Sequence, residues 1–349
     1  MHILGGAEVR RCIAADRPGC LRVVEDGYRA HDRGRTVNPH SSFLKFPHAP
    51  RNRIIALPAH LHDEQPTSGL KWIASFPANI DAGLPRASAV LVLNDQQTGY
   101  ATTIMEASNV SAARTAASAV LAAELLLGAR SASCVGIVGA GPIAREVLDF
   151  LRDVGWGVER FALFDLDRTR AGRLGELAAG DFPDADVVVE DTIADTIRAS
   201  DLVVFATVAG APHVHDPRLF DHHPVVLHLS LRDLAPEIIL DSQNFTDDIG
   251  HAVRESTSLE LAARLTLGAD WEVHPDPVAA RQRLGFVTGT IGDLIEGRVA
   301  RDPEATTIFS PFGLGVLDVA VGRWVSQSVA DDATQVTGFY ETPVEGHPS

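Results

Sequence analysis

Residues 131–144 read Ser131-Ala-Ser-Cys-Val-Gly-Ile-Val-Gly-Ala-Gly-Pro-Ile-Ala144, and this stretch decides the fold. A short apolar run with β-branched residues gives way at once to a GxGxxA turn, and helical apolar spacing continues to Leu151: strand, tight turn, helix. Gly139 permits the turn, and Gly141 lets backbone amides approach a pyrophosphate. Pro142 and Ile143 open the helix, whose N-terminus carries partial positive charge, and Ala144 lets it lie close to the sheet. A second strand, Arg160 to Phe164, ends in Asp165, which is placed to accept hydrogen bonds from adenosine ribose hydroxyls. Asp165 and Asp167 would repel a 2′-phosphate, so the expected cofactor is NAD; Arg168 alone argues for NADP.

Further strand-like runs follow at Asp186 to Val189, Leu202 to Ala206 and Val225 to Ser230. They are separated by helical patterns around Arg168 to Ala179 and Asp191 to Ala199. Alternating elements of this kind predict an α/β fold with a parallel, doubly wound sheet, whose carboxyl strand ends line a cofactor crevice. Thr207 and Asp233 fall at two such ends. Thr207 is a candidate contact for the nicotinamide half. Asp233 is either a base toward substrate or the cap of a helix starting near Pro236.

Before residue 125 the pattern changes. Strand candidates at Ser42 to Phe46, Arg53 to Pro58, Gly69 to Ser75, Ala87 to Leu93 and Tyr100 to Met105 suggest antiparallel pairing, with a turn at Asn94 to Gly99. Ser108 to Leu127 reads as a long Ala-rich helix. Gly313 to Ser328 reads as another, expected to pack back on the first domain, and the last dozen residues read as a loose tail. The expected division is a second, discontinuous α+β domain from 1–125 and 316–349, with the nucleotide domain at 126–315.

The 349 residues carry a formal charge of −16, which disfavours nucleic acid as a partner. A mean hydropathy of +0.05 and no apolar run of membrane-spanning length point away from a membrane. Three cysteines without CxxC spacing and no secretory pattern at the start suit a reducing cytoplasm. Cys134 reads as a small core residue. The His60/His62, His213/His215 and His222/His223 pairs lack a carboxylate or Cys at ligand spacing, so no metal is expected. Lysine is almost absent: Lys45 and Lys71 stand alone among 30 basic residues. An ammonium, once desolvated, can carry a proton that a guanidinium would hold too tightly to give up.

Five strings together resemble the ornithine cyclodeaminase/μ-crystallin family: Ser68-Gly-Leu-Lys-Trp-Ile-Ala-Ser-Phe-Pro77, Pro85-Arg-Ala-Ser-Ala89, Leu93-Asn-Asp-Gln-Gln-Thr-Gly99, Arg114-Thr-Ala-Ala117 and the Gly139 turn. The resemblance implies a Rossmann domain with a substrate-binding and dimerising partner domain, hence a homodimer. It implies that Lys71 is the active-site lysine, Arg114 the carboxylate-binding arginine, Asp233 the catalytic aspartate and Thr115 a cofactor neighbour. Asn38 to Leu44, Arg53 to Pro58, Ser230 to Glu237 and Phe309 to Gly315 resemble one branch most. That branch oxidises N-(2-amino-2-carboxyethyl)-L-glutamate with NAD and hydrolyses the imine to L-2,3-diaminopropionate and 2-oxoglutarate. Cyclodeamination, imine reduction and noncatalytic binding are the family's other activities. Ala56 stands where cyclodeaminases carry an acidic residue, and Leu231 to Pro236 lacks their glycine-rich form, so both depart from ornithine as substrate. Three substrate carboxylates each need a cationic or N–H-rich partner once buried. Arg114 and Lys71 are the first choices, with Lys45, Arg53 and Arg86 for the distal pair. Lys71 and Asp233 both remain open as the proton acceptor.

Overall fold

The computed structural model describes residues 1–329 and 333–340; most of the expected tail, 341–349, lies outside the described residues. Two sheets of eight strands organise the chain. The second is parallel throughout and runs in the order Asp186–Val189, Gly157–Phe164, Ser131–Val138, Leu202–Phe205, Val225–His228, Thr307–Phe309, Gln243–Thr246, Val287–Thr290. Its near-continuous Val, Ile, Leu and Phe content follows from burial on both faces. Strand order reverses between Ser131–Val138 and Leu202–Phe205, and there the carboxyl ends open a crevice.

The first sheet is antiparallel through Arg53–Leu61, Thr67–Ser75, Ala87–Asn94 and Ala101–Glu106. An unforeseen strand, His2–Leu4, pairs parallel to the last of these strands and antiparallel to Thr334–Gln335 on its other side. Asp95 closes the hairpin by accepting the Thr98 and Gln97 amides, and Gly99 takes a positive φ of 74°. Two further helices, Gly6–Ala15 and Arg17–Asp32, precede the sheet. Arg17 clamps the second onto helix Pro142–Asp153, reaching Glu146 (3.0 Å), Asp149 (3.3 Å) and Asp153 (2.8 Å).

Helix Gly315–Ser328 returns to the first sheet and packs on strands Arg53–Leu61 and Thr67–Ser75. Its approach is close because Gly322 leaves room for Leu91, where an added Cβ would stand 2.1 Å from the Leu91 side chain. Helix Ser108–Leu127 corrects one expectation: its hydropathy of 1.4 and twenty-residue length match a membrane span. Packing explains this composition, since Ala113, Ala116, Ala117, Val120 and Ala123 are fully buried between the layers.

Candidate functional site

The turn after Ser131–Val138 is built for an anion. Gly139 sits at φ +95°, and a Cβ there would meet the Ala206 carbonyl at 2.8 Å, so the turn lies directly on the Ala206–Thr207 backbone. Gly141 is the N-cap of helix Pro142–Asp153 with open space where its Cβ would project. The Ile143 and Ala144 amides belong to the first turn, where no intrahelical acceptor exists. Asp165 braces this turn by accepting the Ala140 amide (2.7 Å) and the Asp167 amide (2.8 Å). Asp167 caps the next helix and faces Arg170 (3.4 Å), while Arg168 is paired with Asp191. The acidic end of the cradle thus offers no unpaired cation to a 2′-phosphate.

A second cluster lies where helices Ser108–Leu127 and Gly315–Ser328 meet the first sheet. Lys71 is 1 % exposed, and its Nζ stands 2.7 Å from Asp318 Oδ2 and donates to Ser111 Oγ at 3.1 Å. Arg114 Nε reaches Asp318 Oδ1 at 3.3 Å. The Arg114 guanidinium lies against Gly313, where a Cβ would come within 2.3 Å of Nη1. Asp318, fully buried, is the member of this cluster that sequence reasoning missed; its signal is a lone acid in the otherwise apolar first turn of its helix. Burial pushes the Lys71 ammonium down to about 8; Asp318 opposes the fall and Arg114 adds to it. Two cations facing one carboxylate leave a net positive charge in a dry interior. Thr115, half-buried one position on, donates its hydroxyl to the Ser111 carbonyl at 2.7 Å.

The third cluster surrounds Asp233, which does not cap the helix at Pro236. The N-cap position before Pro236 is Ala235, with no side-chain cap. The Asp233 carboxylate is fully buried. Strand Val225–His228 ends early, and Leu231, at φ +67°, turns the chain so that Asp233 points back beneath the strand ends. Thr207 and Ser230 hydroxyls donate to the carboxylate, and His213 Nε2 meets Oδ1 at 3.0 Å. Burial alone pushes this carboxyl up; the hydrogen bond from His213, with the His228 ring and Ser230, outweighs it and holds Asp233 well below the usual carboxylate range. His213 was set aside in the sequence for want of a nearby carboxylate, yet the fold supplies one from twenty residues away.

The remaining cations divide. Lys45 is exposed and paired with Glu255 at 2.8 Å, so its charge is already matched outside the interior. Arg53 stands in register with Lys45 and Ser75. Its Nε is buried without a hydrogen-bond partner. Arg86 donates to Ser75 Oγ at 2.8 Å. Arg232, next to Asp233, donates only to the Glu255 carbonyl. Burial and then the charge of Arg53 push the Arg86 and Arg232 guanidiniums down, so three arginines gather with no carboxylate partner among the described residues. Cys134 is a core residue beside Ser200, and burial pushes its thiol up.

The loop between strand Thr307–Phe309 and helix Gly315–Ser328 joins these clusters. Ser310 Oγ is 3.3 Å from Nδ1 of His228, whose Nε2 accepts the Asp233 amide. Asp247 receives the Phe312 and Gly313 amides, and Gly313 seats Arg114.

The family model for the ornithine cyclodeaminase/mu-crystallin family matches residues 6–333. The chain is 27 % identical to alanine dehydrogenase of Archaeoglobus fulgidus, over 93 % of this chain and 94 % of that one. It is 26 % identical to N-((2S)-2-amino-2-carboxyethyl)-L-glutamate dehydrogenase of Staphylococcus aureus, over 87 % and 88 %. The solved archaeal alanine dehydrogenase dimer with bound NAD superposes with a TM-score of 0.81 at 25 % identity, covering 97 % of this chain and 99 % of that one.

Breaking the buried triad has a defined cost. Asp318→Asn leaves two cations facing each other and is expected to destabilise the fold by about 3–5 kcal/mol near neutral pH. Without Asp318 the Lys71 value falls further, so the deficit shrinks as pH rises toward the parent value of about 8, over the range where the variant's folded state has already shed its repelling charge. Thermal midpoints at about pH 6.5 and about pH 9 read this directly; equal midpoints for variant and parent at both would contradict it.

Proposed function

The chain belongs to the ornithine cyclodeaminase/mu-crystallin family, and from that premise we propose that it is an NAD-dependent dehydrogenase acting on a CH–NH bond. Its proposed substrate is N-(2-amino-2-carboxyethyl)-L-glutamate, oxidised and hydrolysed to L-2,3-diaminopropionate and 2-oxoglutarate. The cradle fits the cofactor: Gly139, Gly141, Pro142, Ile143 and Ala144 would hold the pyrophosphate and Asp165 the ribose, while Thr207 and Thr115 flank the nicotinamide half. When bound, NAD supplies the two-electron acceptor that takes hydride from the carbon bearing the amine nitrogen.

The protein's own residues do the rest. Lys71 and Arg114, carrying one charge more than Asp318 neutralises, bind a carboxylate beside the reacting carbon. Binding an anion there offsets the burial cost that depresses Lys71, so substrate stabilises the ammonium. The Asp233 centre, at the strand ends beside Thr207, carries the proton transfers of oxidation and hydrolysis.

One observation carries the choice of a substrate with several carboxylates. Arg53 pairs with Ser75, and Leu57 pairs with Lys71. Four residues separate the two rows, so Arg53 and Lys71 share one face of the sheet, about 13 Å apart along the strand. Lys45, directly across from Arg53, is matched by Glu255; Arg53 and Arg86 make no salt bridge among the described residues, and Arg232 is offset only partly, by the charges of Glu255, Asp233 and Glu260. A ligand with a carboxylate at each end fills both positions, whereas alanine fills one. Ornithine would place its distal amine among these cations, and Ala56 offers no acid to hold it.

The outer face of the first sheet supports association of two copies. Trp72 and Val90, in register, are 43 % and 42 % exposed. The proposed homodimer buries this face.

Purified protein with N-(2-amino-2-carboxyethyl)-L-glutamate and NAD is expected to form NADH and release 2-oxoglutarate. Inactivity on this compound with turnover of ornithine or alanine would overturn the assignment. Arg53→Ala and Arg86→Ala are each expected to raise KM about 10- to 100-fold with kcat little changed, as loss of ground-state carboxylate binding requires. On the same protein, Trp72→Glu is expected to convert the dimer to monomer in sedimentation; a parent protein that sediments as monomer would refute the dimer.

A further inference from the structure

We propose that His213 is the side chain that exchanges protons with the reacting nitrogen and with water, and that Asp233 is a positioning residue that acts through it. This rests on the dehydrogenase reading above.

The geometry leaves Asp233 no route to substrate. Its carboxylate is fully buried, and Thr207, Ser230 and His213 fill it with donors. His213 is the titratable member of this set that reaches the surface, with its side chain 36 % exposed. It is fixed twice. The His213 and Val214 amides both donate to the Asp233 carbonyl at 2.9 Å, and the Ala235 amide returns to the Val214 carbonyl. The side-chain bond is added to this backbone staple. An ionised carboxylate only accepts, so His213 Nε2 carries the hydrogen and Nδ1 carries the lone pair. Nδ1 makes no hydrogen bond among the described residues, and the side chain is partly exposed.

The neighbouring histidine is excluded from this role. His228 is fully buried: its Nε2 lies 3.1 Å from the Asp233 amide and 3.2 Å from Asp233 Oδ2, and its Nδ1 lies 3.3 Å from Ser310 Oγ, so no ring atom faces solvent. Among the described residues the charged group in contact with His213 is Asp233, which His228 also meets, and Arg232, the next residue, is turned toward the Glu255 carbonyl. Position completes the case: Thr207 touches both the Asp233 carboxylate and, through its backbone, the Gly139 turn.

The proton sequence balances. His213 Nδ1 takes the amine proton as the C–H bond gives its hydride to NAD and the nitrogen and carbon become C=N. Partial exposure lets His213 release that proton to solvent. Neutral again, it takes a proton from water as the oxygen adds to the imine carbon and passes it to the nitrogen, giving the carbinolamine; it then takes the hydroxyl proton as C=O forms and passes it to the nitrogen as the C–N bond breaks, releasing the primary amine. One NADH and one proton appear per turnover.

Two measurements test this. In the cofactor-free protein, ¹⁵N-histidine spectra are expected to show neutral His213 protonated at Nε2, a preference lost in Asp233→Asn; a proton on Nδ1 in the parent overturns the proposal. In turnover, His213→Gln is expected to lower kcat about 10²- to 10⁴-fold and to abolish the acid limb of the kcat/KM profile, with NAD affinity retained. Imidazole is expected to restore part of the rate of His213→Ala. A variant rate within tenfold of the parent, with the acid limb intact, overturns it. A parent protein silent on every amino-acid substrate refutes the dehydrogenase reading instead, and the spectra then decide His213–Asp233 pairing by themselves.

Discussion

A single buried carboxylate, Asp318, facing the Lys71 ammonium and the Arg114 guanidinium is the constraint on which the substrate side of the molecule depends. Two cations cannot share a dry site without an anion, and one anion cannot neutralise both. On the proposed reading a substrate carboxylate meets the residual charge, and the depressed Lys71 makes the site responsive to its arrival. Geometry enforces the arrangement: Gly313 yields the space the guanidinium occupies, and Gly322 lets the helix bearing Asp318 approach the sheet bearing Lys71.

The same helix is tied to the nucleotide half by the loop that precedes it. Asp247 holds the Phe312 and Gly313 amides, and Ser310 meets the ring of His228. Lys71 of the first sheet with Arg114 of helix Ser108–Leu127, and the Asp233–His213 pair beyond the strand ends of the second sheet, are therefore linked through one short crossing. Arg53 closes the arrangement from the far end of the first sheet, coupled in charge to Arg232 beside Asp233. The strained turn at Leu231, with about 1–2 kcal/mol at stake for a non-glycine residue, is stored where the two halves face each other.

What the chain discloses in order of residues depends on range. The Gly139 turn, Pro142 at the helix start and the Asp165 brace are written locally, because backbone conformation and helix ends demand particular residues within a few positions. Strands at Arg53, Thr67, Ala87 and Ala101 follow from alternation, and helix Ser108–Leu127 is read to the residue. Asp318 lies some 250 positions from Lys71, and no local pattern announces their meeting. His213 appears idle until the turn at Leu231 brings Asp233 back to it. Lys45 and Arg53 look alike in sequence and differ only because Glu255 meets one of them. The N-terminal helices escaped notice since their anchor, Arg17, finds its acids on a helix more than a hundred residues on.

Calorimetric binding of the N-substituted glutamate to the NAD-free protein, in two buffers of different ionisation enthalpy at about pH 8, measures the central claim most directly. The account predicts net proton uptake on binding, as the incoming carboxylate restores the Lys71 ammonium, and loss of that uptake in Lys71→Met. Binding with no proton linkage, or with net release, would contradict it.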